Sequence, residues 1–338
     1  MDVTIAICTW NRAAMLDRLL AELHALTIPP GLTWEVVVVN NCCTDNTDDI
    51  IHKHTNWLPM RRAFEPIAGI AHARNRAVTE ARGDLMLWTD DDMAVPADWL
   101  ANFVTAAQQF PDAVLFGGPI RAWFAHDVTI GEREFTETNM ALLSPMFGVV
   151  DFGADVRDLK ADEVVFSGNM ALRTEAARQF QFDGRFGRVG RSGLLGGEET
   201  LFLQQMLESG HRGVWVGNAW ARHWTPRDRL TRNYAWKYFA ALGRTQVRRE
   251  GLPACPTVLG QPRWALLQSW RHRLLAWLLR PLGGSWLPHY LTAAKLTGYM
   301  AECRDHATDP NRDPGYLVPP HRNATSRSAT SSATAVTS

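Results

Sequence analysis

Val3-Thr4-Ile5-Ala6-Ile7-Cys8-Thr9 is a short, mostly apolar run, and Met15, Leu16, Leu19, Leu20, Leu23 and Leu26 follow it at helical spacing within residues 12–26. The run reads as a strand and the spacing behind it as a helix. The pair recurs down the chain. Strands are predicted over 35–39, 61–65, 84–89 and 113–116, with helices over 45–54, 70–81 and 96–109 between them. Alternation at this interval implies βαβ units, an α/β fold with a mostly parallel sheet and helices on both faces. Ligands of such sheets sit at the carboxyl ends of the strands. Asn11, Arg12, Asn40, Asn41, Glu65 and Asp90 to Asp92 directly follow those strands and are therefore expected to converge on one rim.

Beyond Gly117 the pattern turns mixed, with strands predicted over 164–172, 213–216 and 219–223 and a helix starting near Glu198. The chain has 338 residues, 46% hydrophobic and 21% charged, which is a globular composition able to bury a large core. Lys plus Arg and Asp plus Glu are 35 each, so the chain as a whole offers no electrostatic footprint for nucleic acid. Met1-Asp2-Val3 lacks the basic flank and apolar stretch of a signal peptide, and no uncharged apolar run reaches the ~18 residues of a membrane span. A cytoplasmic protein is expected. Its five cysteines include no C-x-x-C pair and read as ordinary thiols. The final residues are almost all Ser, Thr and Ala and are predicted to be disordered. The Asn323-Ala324-Thr325 sequon among them reads as chance.

Trp88-Thr89-Asp90-Asp91-Asp92 places three carboxylates directly after an apolar strand. Adjacent like charges raise one another's pKa unless a cation is present, and an oxygen-rich cluster suits Mg²⁺ or Mn²⁺ bridged to a diphosphate. On an extended turn Asp90 and Asp92 point one way and Asp91 the other. A solvated acidic cap for the following helix is the plain alternative, and the strand-end position argues against it. In Gly196-Gly197-Glu198-Glu199-Thr200 the glycines release the backbone just before a helix whose first turn carries two carboxylates. A carboxylate held there stays ionised and can accept a proton, although acidic residues favour that turn anyway. His223 reads as a metal ligand or a satisfied surface histidine. Ser167-Gly168-Asn169 would let a ligand's hydroxyls approach the backbone, or simply form a bulge. Arg74, on a predicted helix, would meet phosphate or solvent.

In this order the motifs resemble the family 2 glycosyltransferases of GT-A fold. The resemblance runs through Ile7-Cys8-Thr9-Trp10-Asn11-Arg12, Val39-Asn40-Asn41, Glu65-Pro66, Ala73-Arg74-Asn75, Asp90-Asp91-Asp92, Ser167-Gly168-Asn169, Gly197-Glu198-Glu199 and His223, covering roughly residues 2–245. It implies inverting transfer of a sugar from a nucleotide-diphosphate donor, usually a UDP-sugar, to a hydroxyl of a glycan or lipid-linked acceptor. It also implies roles. Thr9, Asn11 and Arg12 would line the nucleotide pocket, Asp90 would hold the ribose side, Asp92 and His223 would hold Mg²⁺ or Mn²⁺, and Glu199 would be the base. Asn40, Glu65, Arg74, Asp91 and Asn169 join the nucleotide-sugar contacts. Two departures stand out: Asn40 where the family often has Asp for the uracil ring, and Glu199 where Asp is common. The organisation expected is a nucleotide-sugar-binding half over 1–117, an acceptor and catalytic half over 118–245, a helical extension over 246–310 and a disordered tail over 311–338.

Two rival functions fit these residues less well. A sugar-nucleotide nucleotidyltransferase would carry a glycine-rich basic loop after the first strand, where Thr9-Trp10-Asn11-Arg12 has no glycine. A non-catalytic, membrane-peripheral binding protein would not need Asp90, Asp92 and Glu199. From residue 221 to 280, however, twelve Lys or Arg face only Asp228 and Glu250, with Trp224, Trp236, Trp264, Trp270 and Trp277 interleaved. Within 263–280, Trp264, Leu267, Trp270, Leu274, Trp277 and Leu278 form one apolar stripe at the helical period. Such a helix suits an anionic membrane surface or, equally, packs on the catalytic domain. Trp220 and Trp224 are candidates for stacking on sugar rings or for the core.

Overall fold

The computed structural model describes residues 1–124, 137–160, 163–188, 194, 196–281 and 285–309. The tail expected over 311–338, with its sequon, lies outside the described residues. Strands β1 (Val3–Thr9), β2 (Trp34–Asn40), β3 (Met60–Phe64) and β4 (Leu85–Asp90) lie side by side in parallel pairs. They alternate with α1 (Ala13–Leu23), α2 (Thr47–His54) and α3 (Ile70–Glu80), and α4 (Trp99–Gln109) follows. Every residue of β1 is buried, as are Val36 to Val39 of β2, which is why both read as continuous apolar runs rather than as alternation. Each such side chain contributes about 1.5–3 kcal/mol relative to exposure. α1 buries Leu16, Leu19, Leu20 and Leu23 on the sheet, the face its spacing predicts.

Four further strands complete the sheet: β6 (Ala113–Gly117), β8 (Val156–Asp158), β9 (Asn169–Arg173) and β10 (Arg212–Val216). The eight strands run in the order β3-β2-β1-β4-β9-β6-β10-β8. β9 is antiparallel to both β4 and β6, and β8 is antiparallel to β10; the others share one direction. The sheet is therefore mostly parallel, as the alternation implies, with one reversed strand in its middle. The strand expected over 164–172 starts only at Asn169, which pairs with Thr89 near the end of β4. Ser167 and Gly168 form the turn that enters it.

A smaller sheet joins β5 (Met93–Ala94), β11 (Ala221–Thr225) and β7 (Ile120–Phe124). Two short helices, α5 (Glu137–Phe147) and α6 (Thr174–Ala177), precede α7 (Glu198–Glu208). The C-terminal layer consists of α8 (Arg232–Glu250), a hairpin of β12 (Thr257–Val258) and β13 (Gln261–Pro262), α9 (Arg263–Leu279) and α10 (Trp286–Thr308). The boundary expected at 245 falls inside α8, so the helical layer starts at Arg232. α8 and α10 cross where a methyl on Gly243 would lie 1.9 Å from the Lys295 carbonyl oxygen and one on Gly298 1.7 Å from that of Ala240. Only glycine allows that approach. Glu302 of α10 is fully buried and is neutralised by Arg244 at 2.7 Å and Arg248 at 2.8 Å. Among the described residues, no helix is long and apolar enough to cross a membrane.

Candidate active site

The carboxyl ends of β1 and β4 meet at the acidic triplet. Asp91 turns inward: the Thr9 hydroxyl donates to its Oδ2 at 2.9 Å and Arg12 Nη1 donates to its Oδ1 at 2.8 Å. Burial pushes the Asp91 carboxyl above its usual range, even with Arg12 opposing that rise. Asp92 also faces Arg12, at 2.8 Å through Oδ2, and its Oδ1 lies 3.4 Å from His223 Nε2. Against the burial that would raise it, His223, Arg12 and Arg229 hold the Asp92 carboxyl below the usual range. The expected pairing of Asp90 with Asp92 against Asp91 is not what the geometry shows: Arg12 Nη1 bridges Asp91 and Asp92, and Asp90 lies toward Arg74.

His223 reaches Asp92 because β11 pairs with β5 antiparallel, which sets His223 opposite Met93, the residue after Asp92. The Trp224 amide then donates to the Asp92 carbonyl at 2.9 Å. His223 Nδ1 lies 2.5 Å from the Phe147 carbonyl oxygen. A carbonyl only accepts, so the Nδ1 proton is fixed there and Nε2 is turned to Asp92.

Across the cleft, the antiparallel pairing of β9 with β4 brings Ser167 and Gly168 beside Asp90. A methyl on Gly168 would lie 3.3 Å from Asp90 Oδ2. Gly197, with φ of 103°, turns the chain into α7 and delivers Glu198 and Glu199 in its first turn. Glu199 Oε2 accepts from the Ser167 amide at 3.0 Å and from the Ser167 hydroxyl. Arg74, buried on α3, stands between these groups. Its Nη1 is 2.5 Å from Glu198 Oε1, and its Nη2 is 3.6 Å from Glu199 Oε2 and 3.9 Å from Asp90 Oδ1. Glu198 is buried, its Oε2 has no hydrogen-bond partner among the described residues, and burial, only partly offset by Arg74, pushes its carboxyl up.

These groups line one cleft of about 550 Å³. Thr9, Arg12, Arg74, Asp90, Asp91, Asp92, Glu199 and His223 are on its walls; Asn11, Asn40, Glu65 and Asn169 are not. Asn11 has φ of 51°, and its Oδ1 accepts from the Thr44 amide at 2.6 Å, so it shapes the loop instead. Asn40 is buried, donates to Asp48 at 2.6 Å and accepts from the Cys43 amide at 2.8 Å. Glu65 Oε1 accepts from the Ile67 amide at 2.9 Å. Asn169 is fully buried: its amide donates to the carbonyls of Pro119 and Ala219, and its oxygen accepts from Trp99 Nε1 at 2.7 Å. It ties β9 to its neighbours rather than meeting a ligand. Trp220 and Trp224 also stay off the cleft. Trp224 packs edge-on against Trp123 at 4.9 Å, and Trp220 lies under Arg121 at 5.1 Å. The cleft walls do include Trp10 and the neighbouring Asn41; Arg229, in the turn before α8, lines the cleft too, and the C-terminal layer adds Tyr238, Arg249 and Lys295. The basic run after residue 221 is the signal that would have found Arg229 and Arg249.

Two carboxylates and an imidazole with Nε2 turned inward are donors of the kind that take Mg²⁺ or Mn²⁺. Among the described residues they do not converge as a group of three, because Arg12 occupies the oxygens of Asp91 and Asp92. Chemically, the cleft sets cations and a hydroxyl on one side of a nucleotide-sized space and a tethered carboxylate, Glu199, on the other.

Comparison with known proteins agrees with this geometry. Residues 4–149 match the family described as Glycosyl transferase family 2. The succinoglycan biosynthesis protein ExoM of Rhizobium meliloti is 23% identical over 276 residues, 80% of this chain and 79% of its own length. Validoxylamine A glucosyltransferase of Streptomyces hygroscopicus subsp. limoneus is 30% identical over 118 residues, 34% of this chain and 26% of its own length. The crystal structure of S. aureus TarS 1-349 in complex with UDP has a TM-score of 0.52 at 18% identity, covering 91% of each chain. Mannosyltransferase PcManGT from Pyrobaculum calidifontis, in complex with GDP-Man and Mn²⁺, has a TM-score of 0.52 at 18% identity, covering 91% of this chain and 87% of its own. Residues 4–149 thus resemble the family 2 glycosyltransferases, and the chain has the GT-A fold of these solved structures.

Proposed function

We propose that the chain is an inverting, metal-dependent transferase that moves a sugar from a nucleotide-diphosphate donor, with a UDP-sugar expected, to a hydroxyl of a glycan or lipid-linked acceptor. The observation that carries this is Arg74 Nη2, which has Asp90 and Glu199 both within 4 Å. Donor-side carboxylate and candidate base therefore face one small volume. Related proteins support the substrate class: TarS has been solved with UDP-GlcNAc and PcManGT with GDP-Man and Mn²⁺, and ExoM is a polysaccharide biosynthesis protein.

In this reading Thr9 and Asp91 shape the nucleotide side, Asp90 holds the ribose side, and Arg12 and Arg229 face the diphosphate. Asp92 and His223 would hold Mg²⁺ or Mn²⁺, which when bound neutralises the departing diphosphate. Glu199, fixed by Ser167, accepts the proton of the acceptor hydroxyl. The acceptor oxygen bonds to the anomeric carbon as the bond to the diphosphate oxygen breaks, and the configuration inverts. Calorimetric titration of UDP-, GDP- and dTDP-sugars, each with Mn²⁺ and with EDTA, tests it. Saturable, Mn²⁺-dependent binding of one of them is expected, and the absence of binding by all three would overturn it.

The same reading places the enzyme on the cytoplasmic face of a membrane. The stripe of α9 is exposed, with Leu267 at 74%, Trp270 at 74% and Trp277 at 72%, while Ala265, Ser269 and Ala276 are its buried residues. A helix that buries its small residues and presents its large apolar ones suits an interfacial position.

A further inference from the structure

Beside that stripe, α8, α9 and α10 enclose a second hollow of about 560 Å³ that shares no residue with the catalytic cleft. Arg232, Arg273 and Arg280 line it together with Trp236, Trp277 and Trp286, and none of its described lining residues is a carboxylate. Two of the arginines are held on aromatic faces. The Arg273 guanidinium lies 5.2 Å from the Trp236 ring and that of Arg280 lies 5.5 Å from the Trp286 ring. Arg273 Nη2 also donates to Thr297 Oγ1 at 3.0 Å. A guanidinium is planar by resonance, and a ring beside it limits its rotation while leaving N–H groups for oxygen acceptors, the fork that grips phosphate.

We propose that this hollow binds the phosphate-bearing headgroup of an anionic lipid, resting on the membrane reading above. Charge selects the ligand. The catalytic cleft sets a diphosphate beside Asp90, Asp91 and Asp92, whereas the hollow opposes an anion with no acidic group and so binds it without metal. Position selects the source. Trp277 belongs both to the hollow's wall and to the exposed stripe, so a bilayer touching α9 brings its headgroups to the arginines. The aromatic walls suit the glycerol and upper acyl carbons.

The test uses the full chain with vesicles of phosphatidylcholine alone or mixed with phosphatidylglycerol, in EDTA, read by co-sedimentation. Wild type should prefer the anionic vesicles. Arg263→Gln with Arg271→Gln, at exposed positions of α9 outside the hollow, should lower that partition by no more than the roughly thirtyfold that two arginines near a charged surface contribute by charge alone. Arg273→Gln with Arg280→Gln removes equal charge and should lower it clearly further. Equal loss in both pairs would overturn the proposal in favour of diffuse attraction. Trp270→Glu, which leaves the hollow intact, tests the membrane reading separately. Should that variant and wild type sediment alike with neither vesicle, the membrane reading fails. Saturable tryptophan fluorescence change with glycerol phosphate in wild type, lost in the Arg273 and Arg280 pair, would then identify a free phosphate site and overturn the lipid. If the pair unfolds by circular dichroism, Arg273→Lys with Arg280→Lys keeps the charge, loses the planar fork, and should still weaken binding several-fold.

Discussion

Arg74 and Glu198 form a 2.5 Å ion pair in which both side chains are less than a tenth exposed. They come from α3 and α7, far apart in the chain, so this pair fixes the helix bearing the candidate base against the nucleotide-binding sheet. Removing one partner of a buried pair strands the other charge, which typically costs about 3–5 kcal/mol. Arg74→Met should therefore shift the urea unfolding midpoint strongly. Arg74→Met with Glu198→Leu should recover much of that loss, because no charge is then left buried alone. A single variant as stable as wild type would mean the pair does not hold the two elements together.

Asp91 and Asp92 sit next to each other in sequence and should behave differently. Asp91 is committed to Thr9 and Arg12, so Asp91→Asn should lower stability by about 1–3 kcal/mol through its charged hydrogen bond. Asp92, in the metal reading, has His223 as its partner. Asp92→Asn gives up an equal 2.8 Å bond to Arg12 and should also lower stability, by about 1–3 kcal/mol, but in molecules still folded it should abolish Mn²⁺-dependent turnover, and EDTA should reproduce that loss of turnover in the wild-type enzyme. Turnover by Asp92→Asn at wild-type rates would remove Asp92 from the metal site.

The two glutamates of α7 separate by the same logic. Glu199→Gln should retain donor KM and lose about 10²–10⁴-fold in kcat, because an amide cannot accept the proton. Ser167→Ala removes the hydroxyl donor to the Glu199 carboxylate, keeps the backbone amide donor, and should lower kcat by less, with donor KM unchanged. If Glu198→Gln lost kcat while Glu199→Gln did not, the base would be Glu198, whose buried Oε2 has no hydrogen-bond partner among the described residues.

What the chain revealed before its structure follows the range of the interactions concerned. β1, α1 and β2 were legible because local periodicity records which face is buried. The acidic triplet was legible because it follows a strand directly. Arg74 was legible as a candidate contact, but its burial in an ion pair with Glu198, 124 residues away, was not. Nor was the separation of Asn169 from the ligand, because its partners are carbonyls of Pro119 and Ala219, and carbonyls leave no mark in composition. For α9 the apolar stripe was readable, but its direction was not. Periodicity gives a face without saying whether protein covers it, and here the small residues Ala265, Ser269 and Ala276 took the buried side.

Asn169 supplies the sharpest contrast between a ligand contact and a structural one. Its amide donates at 2.9 Å to Pro119 and at 2.7 Å to Ala219, and its oxygen accepts from Trp99 Nε1. Asn169→Ala would take the partner from the Ala219 carbonyl and the Trp99 indole N–H, while the Pro119 carbonyl still accepts from the Ala221 amide at 2.8 Å. Each unsatisfied buried group costs about 1–3 kcal/mol, so a loss of roughly 2 kcal/mol or more is expected in urea titration. Trp99 fluorescence should change as its indole loses the acceptor. Among molecules still folded at low temperature, donor KM should match wild type, because the side chain never reaches the cleft. A raised donor KM with unchanged stability would instead make Asn169 a substrate contact, and the cleft wall would have to include β9.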